Sequence, residues 1–405
     1  MLSERLFVWN FLPGQPGPVI AGRLDLTQTA DRIVGRFVYG QSYLARHDAI
    51  ALDPVTLPLV ERPREFVALS GFPGVILDAC PDRWGIKVID RLMGARRYPT
   101  DYLLLNDPGR AGSLAFSRAA DEAPVELASR EFPLPMLMAA VEAIEQDREV
   151  DPELLKALHP GTGGARPKCN IVDDDAVWIA KFPSIEDAPG ISIPRLEHAT
   201  MTLATACGIR AATTKCERIA GKDVCFVKRF DRAVQGGQIL RRGYASARTV
   251  FYADSGYCDI GGSYGRLATW MTRYGVAAGE RSELFRRMVF NCAVRNIDDH
   301  ELNHGLVHVA DNRFSLADAF DVLPSLSRHG IHRHALLLGD SAAGTVENLV
   351  SNVVAFGLRR EEGLAIIEEV QAKVKAQWQD IAYAAGLGDE ALRLIEPSFQ
   401  QLPLR

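Results

Sequence analysis

Apolar residues along this chain recur at two different periods, and the change from one to the other marks out its parts. Near the N-terminus, Leu6 to Leu12, Val19 to Leu26 and Ile33 to Tyr39 are β-rich runs separated by Gly/Pro clusters such as Gly14-Gln15-Pro16-Gly17. They predict a small antiparallel sheet. From Val75 to Met93 the spacing turns helical, with Ile76, Leu77, Val88, Ile89 and Leu92 on the apolar face. Cys80-Pro81-Asp82-Arg83-Trp84-Gly85 splits it into two shorter helices. Ala119 to Pro133 is polar and Pro-bearing, which suits a linker or domain edge. Helices are expected over Leu134 to Gln146 and over Pro152 to Leu158, the second with Asp151 as N-cap. Two strand-like runs then flank Asp173-Asp174-Asp175, and the second, Ala176 to Phe182, carries Lys181 near its end. A helix over Arg195 to Cys207, closed by Gly208, leads to a strand pair, Thr213 to Ile219 and Val224 to Phe230. Strand, strand, helix, strand, strand is the layout of a small nucleotide-binding lobe.

Residues 233–262 lack periodicity and read as a long surface loop or an ordered functional segment. Beyond them the pattern is mainly helical: Ser263 to Tyr274, Ser282 to Arg295, Thr345 to Phe356, Arg359 to Ala385 and Glu390 to Ile395. A strand pair, Gly305 to Val309 and Arg313 to Leu316, interrupts these helices. Leu364, Ile367, Val370, Val374 and Trp378 form an apolar stripe that reads as core.

Composition narrows the class. A chain of 405 residues, 47% of them hydrophobic, is long enough for two or three domains. No stretch approaches the roughly 20 apolar residues of a membrane span, so no membrane partner is expected. Seven scattered cysteines without a Cys-x-x-Cys pair argue against a disulfide framework and a structural zinc site, and fit a cytoplasmic location. A net charge of -5 disfavours direct hold on nucleic acid, so DNA contact is expected only through a partner. The short patches Arg241-Arg242 and Arg359-Arg360 read as solvated surface.

The chemistry concentrates in Asn296-Ile-Asp-Asp-His-Glu-Leu-Asn303, directly after an apolar helix. Phosphoryl transfer needs a carboxylate to take the acceptor hydroxyl's proton, an amide oxygen on a metal ion and a second carboxylate on the same metal. Asp298, Asn303 and Asp321 fit these roles in this order. The Gly161 to Lys168 loop matches neither common phosphate-loop motif, yet its glycines with Arg166 and Lys168 suit a phosphate cradle; the other reading is an ordinary interdomain turn. Lys181, with Glu197 on the next helix, reproduces the lysine–glutamate pair that orients a triphosphate, and as a partly exposed ion pair Glu197 is expected to matter less. His300 is a candidate catalytic or metal-ligating group, with Asp298, Asp299, His304 and His308 near enough in sequence to complete a metal site, and centred on Asp298, Asp299 and His300 it supports a rival reading as a metal-dependent phosphohydrolase. His329, His332 and His334 follow a Pro-bearing loop and are expected on a surface.

Four segments carry a family resemblance: residues 163–168, Lys228-Arg-Phe-Asp-Arg232, Asn296 to Asn303 and Ala319-Phe-Asp-Val-Leu323. They resemble the HipA family of serine/threonine kinase toxins from bacterial toxin–antitoxin systems. Leu77 to Arg91 is similar to that family's small N-terminal domain, so the likeness covers nearly the whole chain. It implies an α+β fold, protein-kinase-like and two-lobed, with a mostly helical C-lobe and a small N-terminal α/β subdomain. The corresponding division is 1–118, then 119–232 with the Gly-rich loop and hinge, then 233–405. It implies ATP and Mg2+ as cofactors, Asp298 as catalytic base, Asn303 and Asp321 as metal ligands, and Lys181 on the phosphates. Nucleotide contacts are implied at Thr162, Gly163, Gly164, Ala165, Arg166 and Lys168, and adenine-side contacts at Lys228, Arg229 and Phe230. The implied partners are a helix-turn-helix antitoxin (HipB-like) and a protein substrate such as an aminoacyl-tRNA synthetase. A catalytically silent corepressor is a further alternative. Relatives often autophosphorylate a serine in the Gly-rich loop, whereas this loop offers only Thr162.

Overall fold

The computed structural model describes residues 2–28, 32–67, 71–95, 99–105, 109–124, 132–158, 164–173, 175–253, 261–326, 332–399 and 401–404. The chain forms two compact units whose segments alternate in sequence. Met1–Ala180, Arg229–Ala253 and Leu306–Phe314 make the first; Lys181–Lys228, Asp254–Gly305 and Ser315–Arg405 make the second. The architecture is α+β, and no helix among the described residues is long and apolar enough to cross a membrane.

In the first unit the alternating apolar runs become an antiparallel sheet in the order Arg64–Phe66, Ile33–Tyr39, Pro18–Gln28, Leu2–Phe11, Leu114–Ser117. Leu6, Val8, Leu24 and Phe37 supply its buried face. The register slips between Val8 and Trp9, a bulge that lets Trp9 donate from Nε1 to Ser117 Oγ at 2.8 Å while Asn10 reaches the Tyr43 hydroxyl at 3.0 Å. At Gly35 a Cβ would lie 1.7 Å from the Gly71 carbonyl oxygen, so only glycine admits this approach. The Pro81-to-Gly85 break separates the helices Gly74–Asp78 and Arg83–Met93, with Asp82 capping the second through Gly85 N at 2.6 Å.

In the second unit the long helix Arg360–Ala384 packs on Ile193–Ala206 and Gly279–Ala293. Its buried stripe is Ile367, Val370, Val374, Trp378 and Ala382, at three- and four-residue spacing. Leu364, expected on that stripe, is exposed, because Gly363 takes the close contact with Val353 and Phe285 in its place. The Ile193–Ala206 helix ends at Gly208 in the left-handed region, with Gly208 N on Thr205 O and Ile209 N on Ala204 O. That is the glycine C-cap read from the sequence.

Besides Leu364, one open alternative is decided and two expectations are corrected. Of residues 233–262, all but 254–260 are described, and of the two readings they follow the ordered segment and not the loop: a hairpin pairs Arg232–Gln235 with Gln238–Arg241, followed by strand Tyr244–Ser246 and helix Ala247–Tyr252. The buried Asp78 carboxylate organises this region by accepting from Ser246 N, Ser246 Oγ and Thr249 Oγ1, each at 2.7 Å. Arg241 is only 2% exposed, with its guanidinium 4.0 Å over the Phe11 ring, so it is core and not solvated surface. His334 is buried, and desolvation pushes its pKa down to about 4, which keeps it neutral.

Candidate functional site

The helix Gly279–Ala293 delivers the polar cluster. It ends in two C-terminal hydrogen bonds, Arg295 N to Cys292 O at 3.1 Å and Asn296 N to Asn291 O at 2.8 Å. This motif needs a left-handed residue, normally glycine; here Arg295 adopts φ 59°. A non-glycine residue there costs on the order of 1 kcal/mol, and such outliers persist where the surroundings over-determine them. The loop that follows is closed on itself. Asn303 N donates to His300 O at 2.9 Å, Asn303 Nδ2 to Asp298 O at 3.3 Å, and Leu302 N to His300 Nδ1 at 3.3 Å. Asp298 is exposed and Asn303 buried. Asp298, His300 and Asn303 are therefore held in one turn of chain.

A second group forms around Lys181, the last residue of the strand Val177–Lys181. Its Nζ lies 2.5 Å from Glu197 Oε1 and 2.6 Å from Asp321 Oδ1. Burial disfavours the ammonium, but the adjacent Asp321 and Glu197 carboxylates outweigh it and raise the lysine above its usual value. Side-chain exposures of 12% for Lys181, 3% for Glu197 and 39% for Asp321 show how the trio is oriented. Glu197 closes the buried end and Asp321 faces outward. The expectation of a partly exposed Lys181–Glu197 pair is corrected: this pair is desolvated, and its loss is correspondingly more costly.

Asp321 itself sits at φ 58°, a left-handed conformation that aspartate tolerates better than most residues. Its segment is braced by Ala212 N on Ala319 O and Ala319 N on Arg210 O, both at 2.8 Å, and by Arg287 Nη1 on Ala317 O at 2.7 Å. Phe320 and Val322, either side of Asp321, line the same cavity of about 10 Å³ as Asn303, Asp299 and His304. The Asp321 segment and the Asp298–Asn303 loop therefore lie side by side.

Asp299, unlike Asp298, is turned into the protein. It is buried, and its Oδ2 accepts from the Tyr264 hydroxyl and from His304 Nε2 at 2.9 Å. Desolvation opposes its charge, yet His304 and Tyr264 hold its carboxyl below the usual carboxylate range. This orientation disfavours the phosphohydrolase reading, which needs Asp299 beside Asp298 and His300 on one metal. Among the described residues no group of three or more His, Cys, Asp or Glu is arranged to hold a metal ion.

The remaining candidates lie in the first unit, apart from Lys228. Thr162 and Gly163 lie outside the described residues. Gly164 and Ala165 are exposed, Arg166 is half-buried, and Gly164 has φ 118°. Lys168 is buried, with Nζ 2.9 Å from Asp82 Oδ2, and its carbonyl accepts from Trp84 Nε1 at 3.0 Å. Lys228 is exposed, with its backbone N on Thr213 O at 2.8 Å. Arg229 is buried and clasps Asp231 with two parallel bonds, Nε to Oδ1 at 2.9 Å and Nη2 to Oδ2 at 2.8 Å. It also donates to Asn170 Oδ1 and to the carbonyls of Gly109 and Arg110. Phe230 packs at 5.8 Å, ring to ring, on Tyr244. The sequence assigns no role to Asp82, Trp84, Asp231 or Tyr264. Only their presence in the quoted motifs Pro81-to-Gly85 and Lys228-to-Arg232 could have pointed to the first three.

The family model described as HipA-like C-terminal domain matches residues 161–378. No curated protein matches the sequence. Among solved structures, the chain is similar to one from the Shewanella oneidensis MR-1 "Toxin Antitoxin System HipA, HipB and its operator DNA complex". The TM-score is 0.70 at 15% identity, over 98% of this chain and 95% of that one. The Helicobacter pylori proinflammatory kinase CtkA matches with a TM-score of 0.38 at 10% identity, over 58% of this chain and 91% of that one.

Proposed function

Because the chain belongs to the HipA-like C-terminal domain family, we propose that it is an ATP-dependent serine/threonine protein kinase acting as the toxin of a toxin–antitoxin pair. The observation that carries this reading is Lys181 shared between Glu197 and Asp321, with the Asp298–Asn303 loop beside the Asp321 segment. Lys181 stays charged and is held as a point charge for phosphate oxygens. Asp298 is the base: its carboxylate is exposed, while its backbone is fixed through Asn303, so it takes the proton of an incoming hydroxyl without rearranging.

The donor set fits a magnesium–nucleotide pair. One lysine with two carboxylates leaves the trio one negative charge in excess, and its accessible member is Asp321. Magnesium takes hard oxygen donors, usually one or two carboxylates together with substrate phosphates. Asp321 and the Asn303 side-chain oxygen would hold it, since the Asn303 nitrogen is used on Asp298 O. When bound, ATP supplies the phosphoryl group and Mg2+ neutralises the developing charge.

The fold likeness to a chain solved with HipB and operator DNA supports a helix-turn-helix antitoxin as partner. A net charge of -5 supports DNA contact only through that partner. A translation component such as an aminoacyl-tRNA synthetase is the proposed substrate. The test is incubation of the purified chain with magnesium and γ-labelled ATP in the presence of candidate proteins. Label on protein serine or threonine is expected. Release of inorganic phosphate alone marks a hydrolase, and neither outcome leaves a silent corepressor.

A further inference from the structure

Asp299, His304 and Tyr264 have no part in the transfer as derived above, yet they form a buried, hydrogen-bonded group beside it. The hydrogen bonds run in one direction. Asn296 Nδ2 donates to Asn291 Oδ1 at 3.2 Å, Asn291 Nδ2 to the Tyr264 oxygen at 2.9 Å, and Tyr264 O-H to Asp299 Oδ2. His304 Nε2 reaches the same carboxylate oxygen at 2.9 Å from the other side. An ionised Asp299 only accepts, so His304 must carry its proton on Nε2 and Tyr264 must donate. The Tyr264 and His304 rings also meet edge to face, 5.0 Å between centroids. All of these side chains are buried.

The positions in sequence give the network its use. Asp299 directly follows the proposed base, Asp298, and His304 directly follows the proposed metal ligand, Asn303. The Asp299–His304 bond therefore closes the six-residue loop from Asp298 to Asn303 at both ends, one position inside the base and one beyond the amide. We infer that Asp299, His304 and Tyr264 are positioning residues that fix the distance between Asp298 and Asn303. The inference rests on the kinase reading for its catalytic consequence but not for its structural one. His304 Nδ1, buried with no hydrogen-bond partner, also belongs to a residue lining the 10 Å³ cavity with Asn303, Asn291 and Asp299. One water there would satisfy it and tie the network to the Asn303 side.

The test uses the full chain with two substitutions at one position. His304→Ala removes the donor to Asp299, whereas His304→Gln places an amide N-H near the position of Nε2. In the transfer assay, His304→Ala is expected to lower kcat about 10- to 100-fold with KM for magnesium-ATP little changed, and His304→Gln to restore most of the loss. A kcat for His304→Ala equal to wild type, or His304→Gln as poor as alanine, overturns the inference. Hydrogen exchange of the 298–303 amides is read on the same proteins. Faster exchange in His304→Ala, reversed in His304→Gln, supports the pinning even if wild type transfers no phosphate, and unchanged exchange in His304→Ala sinks it. Absence of transfer by wild type counts against the kinase reading alone.

Discussion

Two buried charge clusters, one in each unit, are built from the same materials and left in different states. In the first, a single carboxylate, Asp231, lies between Arg229 and Arg232 and also accepts from Gly112 N at 2.9 Å. The surplus guanidinium donors go to carbonyls: Arg232 Nη1 to Gly112 O at 2.9 Å and Arg229 Nη2 to Arg110 O at 3.0 Å. In the second, a single ammonium, Lys181, lies between two carboxylates, and one of them, Asp321, is 39% exposed. The first cluster spends its excess positive charge on backbone oxygens inside the protein. The second keeps its excess negative charge at an accessible edge. A saturated buried cluster fixes a fold, and one with an open, charged side is equipped to bind.

The largest expected effect falls on the open site. Asp298→Asn should lower phosphoryl transfer by about two to four orders of magnitude while the thermal midpoint stays unchanged, since the removed charge is exposed and the backbone contact to Asn303 remains. Transfer at the wild-type rate would remove Asp298 from the mechanism. Next comes the closed cluster. Asp231→Ala leaves two buried guanidinium groups uncompensated and should cost about 3–5 kcal/mol in urea unfolding. A variant as stable as wild type would show that the carbonyl bonds alone suffice.

Lys181→Ala should weaken magnesium-ATP binding by about 10- to 100-fold, the value of one charge-assisted contact, as measured by calorimetry. Glu197→Gln should cost somewhat less because the amide can still accept from Lys181, yet its effect should be clearly measurable now that the pair is seen to be desolvated. Indistinguishable affinity for Glu197→Gln would return this pair to the status of a surface contact.

The smallest expected effect is one of pH. Asp231 is desolvated, but Arg229 and Arg232 overcome this and hold its carboxyl well below the ordinary value near 3.9. A group depressed on folding contributes stability above its unfolded pKa and loses it as pH falls through the folded one. The stability gap between wild type and Asp231→Asn should therefore be level above about pH 5 and shrink only in more acid solution. Lys181 is raised on folding, so its contribution is complete below its unfolded pKa near 10.4 and is lost only at still higher pH. No change in the Lys181 contribution is expected between pH 6 and 9.

How legible each region was in the sequence follows from how local its causes are. The helix Gly279–Ala293 and the strand ending at Lys181 were visible from periodicity, and Gly208 from its capping role, because a few neighbouring residues decide each. The Arg295 turn was not, since only the bonds of Asn296 and Arg295 to the helix end compel a bulky residue into the left-handed region. The segment around Ser246 and Thr249 shows no period because Asp78, far back in the chain, supplies the hydrogen bonds that hold it. Arg241 and His334 read as surface because their types usually are, and an aromatic face under one and tight packing around the other cannot be seen in a run of letters.

By itself the sequence determined most of the helices, the strand that ends at Lys181, the family resemblance and the short-range set Asp298, His300 and Asn303, because eight consecutive residues can only turn so far. Tertiary structure alone decided that Lys181 is shared by Glu197 and Asp321, residues 16 and 140 positions away. It alone turned Asp299 inward to Tyr264 while its neighbour Asp298 stayed exposed. Which of two adjacent carboxylates becomes a buried strut and which an accessible base depends on the partners that packing brings to each, and those partners come from distant parts of the chain.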